Sequence, residues 1–173
     1  NADINANNSS TIGVFNESNG SLTFNDSVIN ANGSSTIGLL NRSNTPLIEG
    51  VKVTTATTNG TGIRDESIDF VSYNNIDHSG AGLAFRMYSN AGDSSITNSN
   101  LKSTGNESFY LEGEGKQTKL TISNTNFNGR FYINRSPKEI VISNSTLSSI
   151  LNTIENRLND VHLIKPNYIS IDN

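Results

Sequence analysis

The chain has no cysteine and no tryptophan, and only one methionine and three prolines, in 173 residues. Without cysteine there can be neither disulfides nor thiolate metal sites. Hydrophobic residues make up 33% and aromatic residues 7%, which is little for a compact globule. Charged residues are only 16% of the chain, and the net charge is -4. Nucleic-acid binding rests on Lys and Arg neutralising phosphates, so this balance argues against a nucleic-acid partner. No run of 18 or more apolar residues exists, so no transmembrane helix is expected. His78 and His162 are the two histidines, too few and too far apart in sequence to support a metal site. No metal and no cofactor is expected.

In place of these, Asn, Ser and Thr together fill well over a third of the positions. The low charge content and the regularly placed β-branched residues distinguish this composition from that of a disordered chain. The sequence opens at Asn1 without a Met or a charged-then-apolar leader, so any signal peptide is expected to have been removed, and the chain reads as a processed piece or an excerpt.

The polar residues are punctuated by a repeat. Residues 122–127 read ISNTNF and residues 142–147 read ISNSTL, while NANNSSTIGVFNES from Asn5 returns as NANGSSTIGLLNRS from Asn30. Extending the phrase places a first apolar column at Phe24, Ile48, Val71, Ile96, Ile122, Ile142 and Ile164. A second column follows five residues later at Ile29, Val53, Ile76, Leu101, Phe127, Leu147 and Ile169. Pairs two apart, as a half-buried strand requires, occur at Ile12 and Val14, Ile37 and Leu39, Leu83 and Phe85, Phe109 and Leu111, and Phe131 and Ile133. Gly13, Gly38 and Gly62 recur at one position, where a missing Cβ permits a bend or close approach.

A period in the twenties marks a repeat architecture. The spacing predicts an all-β chain folded as a right-handed parallel β-helix of about seven coils, with 20–26 residues per coil. Residues 1–173 form one domain. Segment 148–173 fits the pattern least well, and Leu147 to Leu158 also reads as a short amphipathic helix. Neither end carries a polar cap, so the rod is expected to be an excerpt that continues at both ends.

The coils LTISNTNF and EIVISNSTL, in a Cys-free chain rich in Asn, Ser and Thr, resemble the passenger domains of Gram-negative autotransporter adhesins of the self-associating type. The resemblance covers Asn5 to about Leu147. It implies a non-catalytic rod displayed outside the outer membrane, attaching to a host-surface receptor or glycan, or to another copy on a neighbouring cell. Pectate lyases and phage tailspikes share the coil grammar, so a carbohydrate-processing β-helix is the alternative.

Such an enzyme needs clustered carboxylates. The acids here are scattered, and Asp65, Glu66 and Asp69 beside Arg64 read as solvated loop charges. His78, next to Asp77 and before Ser79-Gly80-Ala81-Gly82, reads as a surface turn. The stretch from Glu112 to Lys116 is Gly-rich but lacks the phosphate-loop frame, and reads as an exposed excursion between coils.

Two surface constellations remain. Alternation turns Tyr110 and Tyr132 outward on adjacent coils, with Arg86 and Glu112 nearby, as a site for sugar stacking or protein contact. A polar ladder is expected from Asp26, Asn98, Asn124 and Asn144 at one position, beside Ser27, Asn74, Ser99, Thr125 and Ser145. Many weak bonds from such a ladder add through avidity between cells. About eleven N-x-[ST] sequons, among them Asn16, Asn25, Asn41 and Asn106, would accept glycans in a eukaryotic secretory setting.

Overall fold

The computed structural model describes residues 2–17, 19–44, 47–68, 70–88, 92–112, 119–134, 139–150 and 169–170. The chain winds as a parallel β-solenoid. Its first coil comprises β1 (Asp3–Ala6), β2 (Ile12–Asn16) and β3 (Leu22–Thr23), and its second β4 (Val28–Ala31), β5 (Ile37–Asn41) and β6 (Ile48–Glu49). The third contains β7 (Lys52–Thr55), β8 (Thr61–Asp65) and β9 (Val71–Asn74), and the fourth β10 (Asp77–Gly80), β11 (Leu83–Tyr88) and β12 (Asp93–Thr97). In the next two coils the first two strands fuse, as β13 (Asn100–Glu112) and β15 (Asn126–Ile133), followed by β14 (Lys119–Ser123) and β16 (Glu139–Ser143). β17 (Ser145–Ile150) opens a further coil and pairs with β18 (Ile169–Ser170).

Every strand pairing is parallel and joins neighbouring coils, so three faces run along the rod. Among the described residues the six rungs of the third face enclose about five turns, against the seven coils predicted for the whole chain. Segment 151–168 and Ile164 lie outside the described residues, as does most of the expected Leu147–Leu158 helix, whose first residues belong to strand β17.

The interior is a set of apolar columns. Ile29, Val53, Leu101, Phe127 and Leu147 stack on the first face and Leu39, Ile63, Phe85, Phe109 and Phe131 on the second; all ten are buried. Rings pack in succession, with Phe109 and Phe131 stacked at 4.9 Å and Tyr73 edge-on to Phe85 at 4.7 Å. Gly13, Gly38 and Gly62 permit the close approach that their recurrence predicts. A Cβ there would lie 2.7 Å from Ile29, 2.5 Å from Val53 and 2.4 Å from His78 respectively.

Three column members differ from the sequence reading by two residues. Leu22, not Phe24, pairs with Ile48; Tyr73, not Val71, stands between Ile48 and Ile96; and His78, not Ile76, stands between Val53 and Leu101. On the second face, Phe109 likewise aligns with Phe85 rather than Leu83. A shift of two preserves the inward–outward alternation of a strand, so hydrophobic pattern alone does not resolve it.

His78 is therefore not in a surface turn but in the core of β10, fully buried. The Lys102 carbonyl can only accept, so Nδ1–H donates to it at 2.8 Å. Nε2 then accepts from the Thr55 hydroxyl at 3.1 Å, whose oxygen accepts the Gly82 N–H at 2.9 Å. Burial, opposed weakly by these surroundings, lowers the imidazole pKa from 6.5 to about 4.

Candidate binding surface

Asp65 and Glu66 are neighbours in sequence, yet they point to opposite sides of the sheet. Asp65 turns inward and is 1% exposed, at the end of a polar file inside the first three coils. Asn16 Nδ2 donates to Asn41 Oδ1 at 2.8 Å, and Asn41 Nδ2 donates to Asp65 Oδ1 at 3.0 Å. Ser67 adds its N–H at 3.2 Å and its hydroxyl at 3.1 Å. Burial raises the Asp65 pKa, against the bonds from Asn41 and Ser67. The reading of Asp65 as a solvated loop charge is thus corrected. Asp69 lies outside the described residues. The sequons at Asn16 and Asn41 are corrected too, because both side chains are buried in this file.

Glu66 turns outward and accepts from Arg42 Nε at 2.7 Å and Arg64 Nη2 at 2.5 Å. Here begins a wall on the second face. Register places Arg64, Arg86, Tyr110 and Tyr132 on four successive rungs, with Tyr88 and Glu112 paired two residues on from Arg86 and Tyr110. Arg64 Nη2 donates to the Tyr88 hydroxyl at 3.0 Å. The Arg64 and Arg86 guanidinium groups lie 5.5 and 5.6 Å from the Tyr88 ring centroid. Arg86 pairs with Glu112 and also lies 5.6 Å from the Tyr110 ring, which meets Tyr132 at 5.0 Å.

The structure therefore brings together all four residues expected in the aromatic patch, and extends the patch with Arg42, Arg64, Glu66 and Tyr88. The signal for the extension lay in the spacing, since Arg42, Arg64 and Arg86 recur at 22-residue intervals. Three guanidinium groups meet two carboxylates in the wall, and every one of these charges is paired. Partial burial pushes the Glu112 carboxyl up, but bonds from Arg86 and Tyr88 hold its pKa below the ordinary value. The Glu112 bond in turn raises the pKa of Arg86. Burial, followed by the charge of Glu112, raises the Tyr110 pKa. Sugar stacking on Tyr110 is a different matter, because Arg86 occupies one ring face and Tyr132 the other. What the wall offers to solvent is hydrogen-bonding groups.

The polar ladder divides in two. Asp26, Asn98, Asn124 and Asn144 all occupy the left-handed region, with φ of 50°, 51°, 50° and 48°, at the corner between the third and first faces. Gly50 and Asn75 hold the same conformation at this corner in the coils between, and Asn74, expected beside them with Ser99, instead ends β9 in register with Thr97. The side chains of Asn98, Asn124 and Asn144 are exposed on consecutive coils. Asn124 Nδ2 donates to Asn98 Oδ1 at 3.1 Å, and Asn98 Nδ2 donates to Asn74 Oδ1 at 2.8 Å. Asp26 is exposed three coils away, in a corner two residues longer.

Ser99, Thr125 and Ser145 instead turn inward and are 5%, 2% and 4% exposed. Their hydroxyls donate to the carbonyls of Thr97, Ser123 and Ser143, two residues back. The oxygens of Ser99 and Ser145 also accept the backbone N–H of Ile76 and Thr125 from the preceding coil. These three satisfy the backbone of a tight corner and cannot reach a partner. The expected contact residues at this corner reduce to the exposed asparagines and Asp26.

Segment 113–118, which holds the rest of the Gly-rich stretch after Glu112, lies outside the described residues. Among the described residues no helix is long and apolar enough to cross a membrane. Comparison with known protein families, with curated proteins and with solved structures finds no match to this chain.

Proposed function

We propose that the chain is the passenger rod of a bacterial surface adhesin, non-catalytic and displayed outside the outer membrane. It attaches cells to a host-surface receptor or glycan, or to another copy of itself on a neighbouring cell. The observation that carries this reading is the outward wall of Arg64, Arg86, Tyr110 and Tyr132, stacked rung on rung and braced by Glu66 and Glu112. Tyr and Arg are the residue types on which binding energy concentrates at interfaces. The exposed Asn98–Asn124 ladder supplies a second repeated polar surface, suited to weak contacts that add by avidity. The opposed directions of Asp65 and Glu66 weigh against the carbohydrate-processing alternative, which needs acids converging on one groove.

Display of the chain on otherwise non-adherent bacteria tests the reading. Displaying cells are expected to settle as aggregates or to adhere to host-cell monolayers, and added soluble chain is expected to block this. Sedimentation over a concentration series separates the two modes, since self-association gives a concentration-dependent mass. Cells that neither aggregate nor adhere would overturn the proposal.

A further inference from the structure

We propose that the wall on the second face takes an uncharged, linear, hydroxyl-rich glycan laid along the rod axis, one sugar per coil. This rests on the adhesin reading and gives its ligand a chemical class.

The first argument is commensurability. Successive rungs of a parallel sheet are about 4.8 Å apart, and an extended β-linked polysaccharide advances by a similar distance per sugar. Along four rungs the wall repeats a polar group at each step: the guanidinium groups of Arg64 and Arg86, then the hydroxyls of Tyr110 and Tyr132. Beside them run Glu66, Tyr88 and Glu112. A ligand with the same repeat can engage every rung at once, whereas a globular partner has no such periodicity.

The second argument is charge. Arg42 and Arg64 already pair with Glu66, and Arg86 pairs with Glu112, in a chain of net charge -4. A polyanion would have to displace these carboxylates. Sugar hydroxyls, which both donate and accept, suit a surface where guanidinium donors stand beside carboxylate acceptors.

The third is preorganisation. Arg64 is held between Glu66 at 2.5 Å and the Tyr88 hydroxyl at 3.0 Å, and Arg86 lies between the rings of Tyr88 and Tyr110. Side chains already fixed lose little entropy on binding. With both faces of Tyr110 covered, recognition proceeds through ring-edge hydroxyls and N–H groups, not through stacking.

Titration calorimetry of the full chain with β-1,4-linked gluco-, xylo- and N-acetylglucosamine oligosaccharides of one to eight sugars tests the inference, with a uronate series alongside. Affinity in at least one neutral series is expected to climb with each added sugar and level off at roughly four, the number of rungs in the wall. Tyr110→Ala and Arg86→Ala should weaken binding at least tenfold. Arg86→Lys, which keeps the charge beside Glu112 but loses the planar fork, serves if the alanine variant melts early. Lys52→Ala, exposed on the first face, should leave affinity unchanged. The inference is overturned if no neutral series binds, if affinity is flat beyond a disaccharide, if the uronate series binds more tightly, or if wall substitutions have no effect. Adhesion that persists in displaying cells while no oligosaccharide binds would remove this ligand class and leave the adhesin reading standing.

Discussion

Between Val53 and Leu101 in the core column, a neutral imidazole is worth more than a charged one. His78 has both ring nitrogens committed, and a proton on Nε2 would turn the hydrogen of the Thr55 hydroxyl away from its acceptor. With a folded pKa of about 4 against 6.5, the unfolded chain binds a proton in that interval that the folded chain refuses. Stability is therefore full above pH 6.5, falls as pH drops toward 4, and loses roughly 3 kcal/mol across the window. Asp65 acts with the opposite sign. Its raised folded pKa means that the stabilisation from its proton is present at low pH and lost as pH rises from 3.8 through the raised value. His78→Val, matched to the neighbouring Val53, should flatten the acid limb of a urea-midpoint profile measured from pH 7.5 to 4. An unchanged slope would show that the histidine is already charged or solvated. Steric consequences follow from the same residue. Gly62→Ala would bring a methyl 2.4 Å from His78 Cδ2 and 2.7 Å from the Ala84 carbonyl, and should cost roughly 1–3 kcal/mol or more in denaturant melts.

At the scale of the element, the corner between the third and first faces explains both what the sequence reveals and what it hides. A left-handed residue costs an L-amino acid about 1–2 kcal/mol, least for Asn and Asp and nothing for Gly. Asp26, Gly50, Asn75, Asn98, Asn124 and Asn144 fill the position accordingly. Asn124→Ala should thus lose both the local side-chain bonding and the tolerance of φ, whereas Asn124→Gly loses only the first. Chemical denaturation is expected to rank wild type above Gly above Ala, with about 1 kcal/mol between the variants. A strand's alternation does not carry through such a corner. The residue after the left-handed one points inward, which is why Ser99, Thr125 and Ser145 looked like surface in a polar sequence and are core. Within strands the pattern was legible, down to Tyr110 and Tyr132 on facing rungs. It failed by steps of two where Tyr73 and His78, polar-tipped but buried, displaced the more apolar Val71 and Ile76 as column members. Arg64 joins the wall through its 22-residue interval to Arg86, whereas Glu66 and Tyr88 entered it only once the register was known, because they stand two residues beyond Arg64 and Arg86.

On the scale of the whole rod, strands pair only between adjacent coils, the bond from Asn106 Nδ2 to the Thr58 carbonyl at 2.9 Å reaches two coils back, and stability is shared between coil interfaces. The buried amide file of Asn16, Asn41 and Asp65 occupies one end of this stack, and the Phe85, Phe109, Phe127 and Phe131 cluster lies further along it. Nothing in this arrangement calls for a deep cleft. The surface is a set of straight columns, and the central claim is that the second-face column makes contact outside the molecule. The direct measurement is adhesion strength of cells displaying the wild-type chain and the combined Arg86→Ala, Tyr110→Ala, Tyr132→Ala variant at equal surface density, with folding checked by circular dichroism. Loss of most adhesion in the variant, with Lys52→Ala on the first face behaving as wild type toward the same surface, is the predicted result. A folded variant that adheres as strongly as wild type would contradict the account.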